Sequence, residues 1–357
     1  MKDLETILRD IISQQGPISL ADYMAECLLH PDFGYYATRD PFGETGDFVT
    51  APEISQMFGE LLGLALAQAW LDQGAHTRFT LAELGPGRGT LMADLLRATR
   101  SVPGFHDAAQ VVLVEASDTL RACQRDRLLG HDPGYDVVWT DHAADLPQQP
   151  LYLIANEFFD ALPIRQFVRQ GPGWCERRIG ASETGLTLGL APMTQHPALA
   201  YRLDDTRDGD IVETCPSASG IMGEIGERIQ TYGGAALIID YGDWRALGDT
   251  FQALKDHAPA DPLIHPGQAD LTAHVDFEAL TRATPSAFTK LTPQGVFLER
   301  LGITDRARAL ARSLSGEPLG AHIAAHRRLT HPSEMGTLFK VLGLYPTTAT
   351  PPTGLEP

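Results

Sequence analysis

The sequence lacks any run approaching the roughly eighteen uninterrupted apolar residues that a membrane-spanning helix needs. Its longest candidate, Leu61 to Leu71, is short and carries Gln68. The N-terminus, Met1-Lys2-Asp3-Leu4-Glu5, has neither a basic start leading into an apolar run nor the acid-free, Arg-rich character of a transit peptide, so a cytoplasmic location is expected. Basic residues are scarce: 28 Lys plus Arg stand against 46 Asp plus Glu, a formal net charge of −18. Such a surface repels a phosphate backbone, and no basic cluster compensates, so nucleic acid is excluded as the expected partner. The four cysteines (Cys27, Cys123, Cys175, Cys215) are far apart and never form C-x-x-C, which argues for reduced packing thiols over a zinc or disulfide framework. The histidines show no H-E-x-x-H or similar spacing, so no metal site is expected.

What remains is ordinary for a soluble globular chain: 43% hydrophobic and 21% charged residues. At 357 residues it exceeds an average domain, so a main domain with a large insertion or a second small domain is expected. Leu4, Ile7, Leu8, Ile11 and Ile12 recur at helical spacing and open the chain with an amphipathic helix. Ser19 with Asp22 caps a second helix, and Thr50 with Glu53 reads as a capping box for a third. From residue 79 the rhythm changes to short apolar strands and helices in alternation. Strands are expected over 79–84, 111–115, 136–140 and 151–155, with helices over 90–100 and 117–128. Such alternation marks an α/β chain with a parallel, doubly wound sheet. Residues 164–232 interrupt it as an insertion, β-rich to about 215, and 233–357 return to the core. A strongly apolar strand over 235–240 belongs to that return; a helix is expected from about Asp276, the C-terminal stretch after it resists ordering, and the tail from Pro346 is expected to fray. The first 75 residues form a helical region with a long aromatic-rich loop.

Gly85-x-Gly87-x-Gly89 follows a strand and precedes a helix. That setting lets a ligand approach the backbone closely, beside the free N–H groups of a helix start. The spacing departs from the dinucleotide fingerprint, whose last glycine is replaced by Thr90. Glu115, at the end of the next strand, is placed to accept hydrogen bonds from both hydroxyls of a ribose. Together they favour a nucleoside cofactor without separating its kinds; tight packing at the turn and a solvated strand-end carboxylate are the plainer readings.

Several blocks in order carry more. They are Ile18-Ser19-Leu20-Ala21-Asp22-Tyr23-Met24, Asp32-Phe33-Gly34-Tyr35-Tyr36 and Gly46-Asp47-Phe48-Val49-Thr50-Ala51-Pro52-Glu53. The loop Glu83-Leu84-Gly85-Pro86-Gly87-Arg88-Gly89-Thr90, then Asn156-Glu157-Phe158-Phe159-Asp160-Ala161-Leu162-Pro163, Asp240-Tyr241-Gly242 and Ala269 to Phe277, complete the set. With these the sequence resembles the MidA-like family of methyltransferases that use S-adenosylmethionine (SAM), whose mitochondrial members act as a complex I assembly factor and protein arginine methyltransferase. The resemblance implies a seven-stranded, Rossmann-like core, SAM as methyl donor, and a guanidinium on a respiratory complex subunit as acceptor. It implies a SAM site at Glu83, Gly85, Pro86, Gly87, Gly89, Glu115 and Asn156, with Gly46 and Asp47 folding over the cofactor. A homodimer is compatible, the oligomeric state being left open. A SAM-binding assembly chaperone is the rival from another class; a nicotinamide-dependent oxidoreductase fits the glycine spacing less well.

Arginine is a poor nucleophile because its guanidinium stays protonated, with a pKa of roughly 12.5–13.8. A carboxylate gripping the far nitrogens localises charge away from the attacking one and orients it. Glu157, directly after the fourth strand, is the candidate clamp and Asp160 a second carboxylate, with helix capping as the alternative job for either. His274 is a candidate proton acceptor, though a lone His beside Asp270 and Asp276 is more often structural. Tyr241 is a candidate pocket residue.

Overall fold

A computed structural model describes residues 3–38, 50–130 and 135–357. The chain divides into two compact units: Val49–Phe159, Ser219–Gly242 and Leu280–Pro357 form one, while Met1–Phe48, Asp160–Ala218 and Asp243–Ala279 form the other. These cuts differ from boundaries at 75, 163 and 233. The helix Gln56–Asp72 belongs with the glycine loop, and the helical N-terminus belongs with the β-rich insertion.

Among the described residues the first unit is built on a sheet whose main path runs through seven of its nine strands: β1 (Phe79–Leu84), β2 (Ala109–Val114), β3 (Val137–Thr140), β4 (Leu151–Asn156), β5 (Gly234–Asp243), β6 (Ala287–Phe288) and β7 (Phe339–Tyr345). Their order is β6-β7-β5-β4-β1-β2-β3. The chain runs outward from β1 to β3, then returns to start again at β4 on the other side of β1. The C-terminal ends of β1 and β4 therefore flank the topological switch point, where doubly wound sheets hold their ligands. Both strands are buried along their whole length, as strands covered on two faces must be. The sheet is mixed rather than parallel, which corrects the expectation: β7 runs antiparallel to both β5 and β6.

On one side of β1 the helix Gln56–Asp72 packs closely against the helix Thr90–Thr99. Gly59 and Gly63 make this possible. A Cβ on Gly59 would lie 2.9 Å from the Leu91 carbonyl oxygen, and one on Gly63 would lie 2.7 Å from Leu95 Cγ. Between them Glu60 accepts from Arg97 at 3.0 Å and, in bidentate fashion, from Arg306 of the helix Ile303–Ala311 at 2.8 and 3.1 Å. Burial pushes the Glu60 carboxyl up, but the hydrogen bonds from the two arginines outweigh it and hold it below its ordinary value.

The segment the sequence left unordered forms the helices Gln294–Arg300, Ile303–Ala311, Gly316–Thr330 and Met335–Leu338 before β7. The tail is not frayed. Leu355 is 8% exposed within the main core, the Lys290 N–H donates to the Glu356 carbonyl at 2.8 Å, and Arg300 pairs with the Glu356 side chain at 2.6 Å. The expectation failed because Pro and Thr richness there signals absence of helix, not absence of packing.

In the second unit, Leu4, Leu8 and Ile12 of the opening helix are buried as their spacing required, and Ser19 and Asp22 form the expected capping box. The β-rich insertion is an antiparallel sheet of Arg165–Gln170, Gly173–Ser182, Gly185–Leu190 and Ile211–Thr214, extended by the N-terminal pair Ile18–Ser19. The second expected capping box, in the first unit, does not form: Thr50 makes no side-chain cap, and Glu53 accepts from the Thr90 hydroxyl instead.

If the tail is core, Leu355→Ala should lower stability by about 2–4 kcal/mol, the usual range for deleting a buried leucine side chain. Urea unfolding measures this, and a loss below about 0.5 kcal/mol, the surface range, would return the tail to solvent.

Candidate functional site

The glycine loop turns through three left-handed residues, Gly85, Gly87 and Gly89, at φ +60°, +51° and +76°. A Cβ at Gly85 would meet the Phe158 ring at 3.0 Å, so the missing side chain also makes room for the turn after β4. Gly89 is the N-cap of Thr90–Thr99 and has no side chain to cap with. Glu83, in β1, does that work: its carboxylate accepts the Met92 N–H, one of the helix's unpaired donors. Its Oε2 is buried with no partner. Burial, reinforced by the Glu115 charge, pushes the Glu83 carboxyl up to about 8 against the pull of the Met92 N–H.

Glu115 stands just beyond β2. Its Oε1 accepts the Ser117 N–H at 2.9 Å and its Oε2 accepts from Gln124 Nε2 at 3.2 Å. Burial raises this carboxyl above its ordinary value despite these donors. Gln124 also donates to the Gly87 carbonyl at 2.7 Å and accepts from Trp139 Nε1 at 2.8 Å, tying the glycine loop to the acid. Sequence reading missed Gln124. The signal was present, since it sits between Leu120 and Leu128 on the buried stripe of the helix Asp118–Leu129, where a polar residue needs a reason.

Across the switch point, β4 ends in Asn156, whose Oδ1 is buried without a partner. Glu157 comes next with φ +51°, a left-handed backbone that costs a non-glycine residue about 1–2 kcal/mol. Its N–H donates to the Ile239 carbonyl at 2.9 Å, and its Oε1 accepts the Ala51 N–H at 3.2 Å and Asn156 Nδ2 at 3.0 Å. The next turn is fixed by Asp240 near the end of β5, fully buried, which accepts the Phe159 N–H at 3.0 Å and its neighbour Tyr241's at 2.9 Å. Tyr241 packs edge-on against Phe339. Thus Glu83, Gly85, Pro86, Gly87, Gly89, Glu115, Asn156 and Glu157 all belong to one unit.

Asp160 and His274 belong to the other unit. Asp160 is buried; its carbonyl accepts the Ala273 N–H at 3.0 Å, and its charge, with that of Asp270, adds to the burial that raises the Tyr36 hydroxyl's pKa. Tyr36 donates to Asp270 at 2.8 Å. His274 donates its backbone N–H to Thr250 Oγ1 at 2.9 Å. Gly46 and Asp47 lie outside the described residues.

Comparison with known proteins identifies the family. Residues 61–296 match the family described as "Putative S-adenosyl-L-methionine-dependent methyltransferase". The chain belongs to that family. It is 38% identical to the human mitochondrial protein arginine methyltransferase NDUFAF7 over 94% of its own length and 81% of that protein's. The Drosophila melanogaster homologue of that protein is 36% identical over 95% and 84%. A Burkholderia thailandensis protein crystallised with S-adenosyl-homocysteine superposes with a TM-score of 0.82 at 31% identity, covering 96% of this chain and 91% of that one.

This methyltransferase uses SAM, and its residues fit that cofactor. SAM presents donors, namely two ribose hydroxyls and an ammonium group, and the switch point offers buried acceptors: the Glu115 side chain and Asn156 Oδ1. A pyrophosphate would need the opposite, free N–H groups at the helix start. Here Glu83 already holds the Met92 N–H. Among the described residues no cluster of His, Cys, Asp or Glu could hold a metal.

The Glu83 carboxyl carries a pH signature. Its folded midpoint, about 8, lies above its ordinary 4.5, so between these values the folded state binds a proton that the unfolded state has lost. Stability contributed by this group is therefore full below pH 4.5 and falls as pH rises toward 8, by at most about 1.4 kcal/mol per pH unit. In cofactor-free urea unfolding at pH 5 and pH 8, Glu83→Gln should flatten that decline; an unchanged slope would contradict it.

Proposed function

We propose that this methyltransferase transfers the SAM methyl group to the guanidinium of an arginine in a protein, a subunit of a respiratory complex, within the cytoplasm. The observation that carries the reading is Glu157. It stands at the C-terminal end of β4 in a left-handed conformation, with one carboxylate oxygen already fixed by two N–H donors. Strain of this kind collects where a side chain must point one way. Identity of 36–38% to protein arginine methyltransferases along 94–95% of the chain supports the acceptor class.

SAM, when bound, supplies an electrophilic methyl group on a positively charged sulfur. The chain's own task is alignment and electrostatics. Glu115 would accept the ribose hydroxyls, and Asn156 Oδ1 would receive the ammonium group. Glu157 would grip the far guanidinium nitrogens, drawing the positive charge toward itself and leaving the near nitrogen's electron pair available for attack; as the N–C bond forms and the S–C bond breaks, that nitrogen would release one proton to water. Because the chain is strongly acidic, it draws basic segments of a client toward it before any specific contact forms. The clamp is assigned to Glu157, and Asp160, buried near Tyr36 and Asp270, is kept as the second carboxylate.

Glu157→Gln keeps the shape of the side chain and removes its charge. It should leave the SAM dissociation constant within a few-fold by calorimetry while lowering transfer of labelled methyl groups to lysate protein by about 100-fold or more, the usual cost of removing a transition-state charge partner. Transfer at the wild-type rate would remove Glu157 from the chemistry.

A further inference from the structure

The one-turn helix Ala51–Ile54 makes two contacts of different kinds. Ala51 donates its N–H to Glu157 Oε1, and Glu53 accepts from the hydroxyl of Thr90, the first residue of the helix that leaves the glycine loop. Pro52 lies between them and fixes its own φ, while the Thr50 carbonyl accepts the N–H groups of both Glu53 and Ile54 at 3.0 and 3.3 Å. The turn is therefore stiff, and Glu53 and Ala51 move as one piece. The chain beyond this turn is also locked. Ser55, in extended conformation, caps Gln56–Asp72 through the Met57 N–H at 3.2 Å, and that helix is pressed onto Thr90–Thr99 at Gly59 and Gly63 and tied to it by Glu60 and Arg97.

We propose that Glu53 is a positioning residue for methyl transfer: by holding the Thr90 hydroxyl, it keeps the Ala51 N–H on Glu157 and so keeps the clamp carboxylate in one orientation relative to the cofactor helix. Gly59, Gly63 and Glu60 fix the two long helices side by side, but they lie within the helix Gln56–Asp72, beyond the short turn itself. The Glu53–Thr90 bond ties that turn directly to the start of the cofactor helix. A carboxylate free to rotate would satisfy itself with donors from water and present the acceptor in many poses, and misplacement of about an ångström is enough to cost large factors in rate. The inference rests on the reading of Glu157 as the clamp.

The test combines exchange of the Ala51 amide hydrogen, followed by NMR, with the initial rate of labelled methyl transfer to lysate protein at saturating SAM. In Glu53→Ala the Ala51 amide should exchange about 10-fold faster and transfer should fall about 10-fold, the equivalent of one hydrogen bond, with SAM affinity by calorimetry within about two-fold of wild type. Glu53→Gln, whose amide oxygen still accepts from Thr90, should restore both. The double variant with Thr90→Val should be no slower than the worse single variant, because both remove the same bond. Wild-type Ala51 protection in Glu53→Ala, or faster exchange with unchanged transfer, overturns the proposal while Glu157→Gln remains inactive. A fully active Glu157→Gln brings down the clamp reading itself, a separate and recognisable result.

Discussion

A carboxylate taken out of water must be given hydrogen-bond donors, and this requirement organises the sheet's C-terminal edge. Glu83, Glu115 and Asp240 are 3%, 9% and 0% exposed, and each captures backbone N–H groups from a turn that leaves the sheet. Glu83 takes Met92, Glu115 takes Ser117, and Asp240 takes Phe159 and Tyr241. Each such bond offsets part of the desolvation of its acid and at the same time fixes the path of a loop. Glu157 repeats the arrangement with the Ala51 N–H, but it does so from a left-handed backbone. The turns around the glycine loop are therefore held by hydrogen bonds to acids at the ends of β1, β2, β4 and β5, and not by their own sequences alone.

The same bonds decide what kind of ligand the crevice suits. Once the turns have taken their donors, acceptors are left over: Asn156 Oδ1 has no partner, and the Glu115 oxygens each have lone pairs to spare. At the helix start, one of the N–H groups that would cradle a phosphate, that of Met92, is already taken by Glu83. Acceptor-rich surroundings favour a ligand that brings hydroxyls and positive charge, as a sulfonium nucleoside with a free ammonium group does. The distinction between SAM and a dinucleotide, which glycine spacing alone left open, is made by the family to which the chain belongs.

Much of this was legible in sequence. Alternating apolar strands announced the sheet, and the strand–glycines–helix setting placed the cofactor loop, because these are local patterns with a fixed period. Glu115 and Glu157 were legible because strand ends are where doubly wound sheets act. What escaped depends on partners distant in the chain. Nothing in Phe339–Tyr345 says that it runs antiparallel between β5 and β6, and nothing in the Pro-rich tail says that Leu355 reaches the core. Asp240 looked like part of a pocket motif when its carboxylate serves a turn 81 residues earlier. Thr50 and Glu53 had the spacing of a capping box, yet Glu53 is claimed by Thr90. Local rules give the most common use of a residue pair, and a functional edge is where that use yields to a long-range one.

The central claim is that a methyl group leaves SAM for a protein arginine held by Glu157. The most direct measurement compares arginine methylation of respiratory-complex subunits by mass spectrometry in cells carrying the wild-type chain, Glu157→Gln, or no gene. A methylarginine present only with the wild-type chain is the predicted result. The same methylarginine at full occupancy in all three would contradict the account.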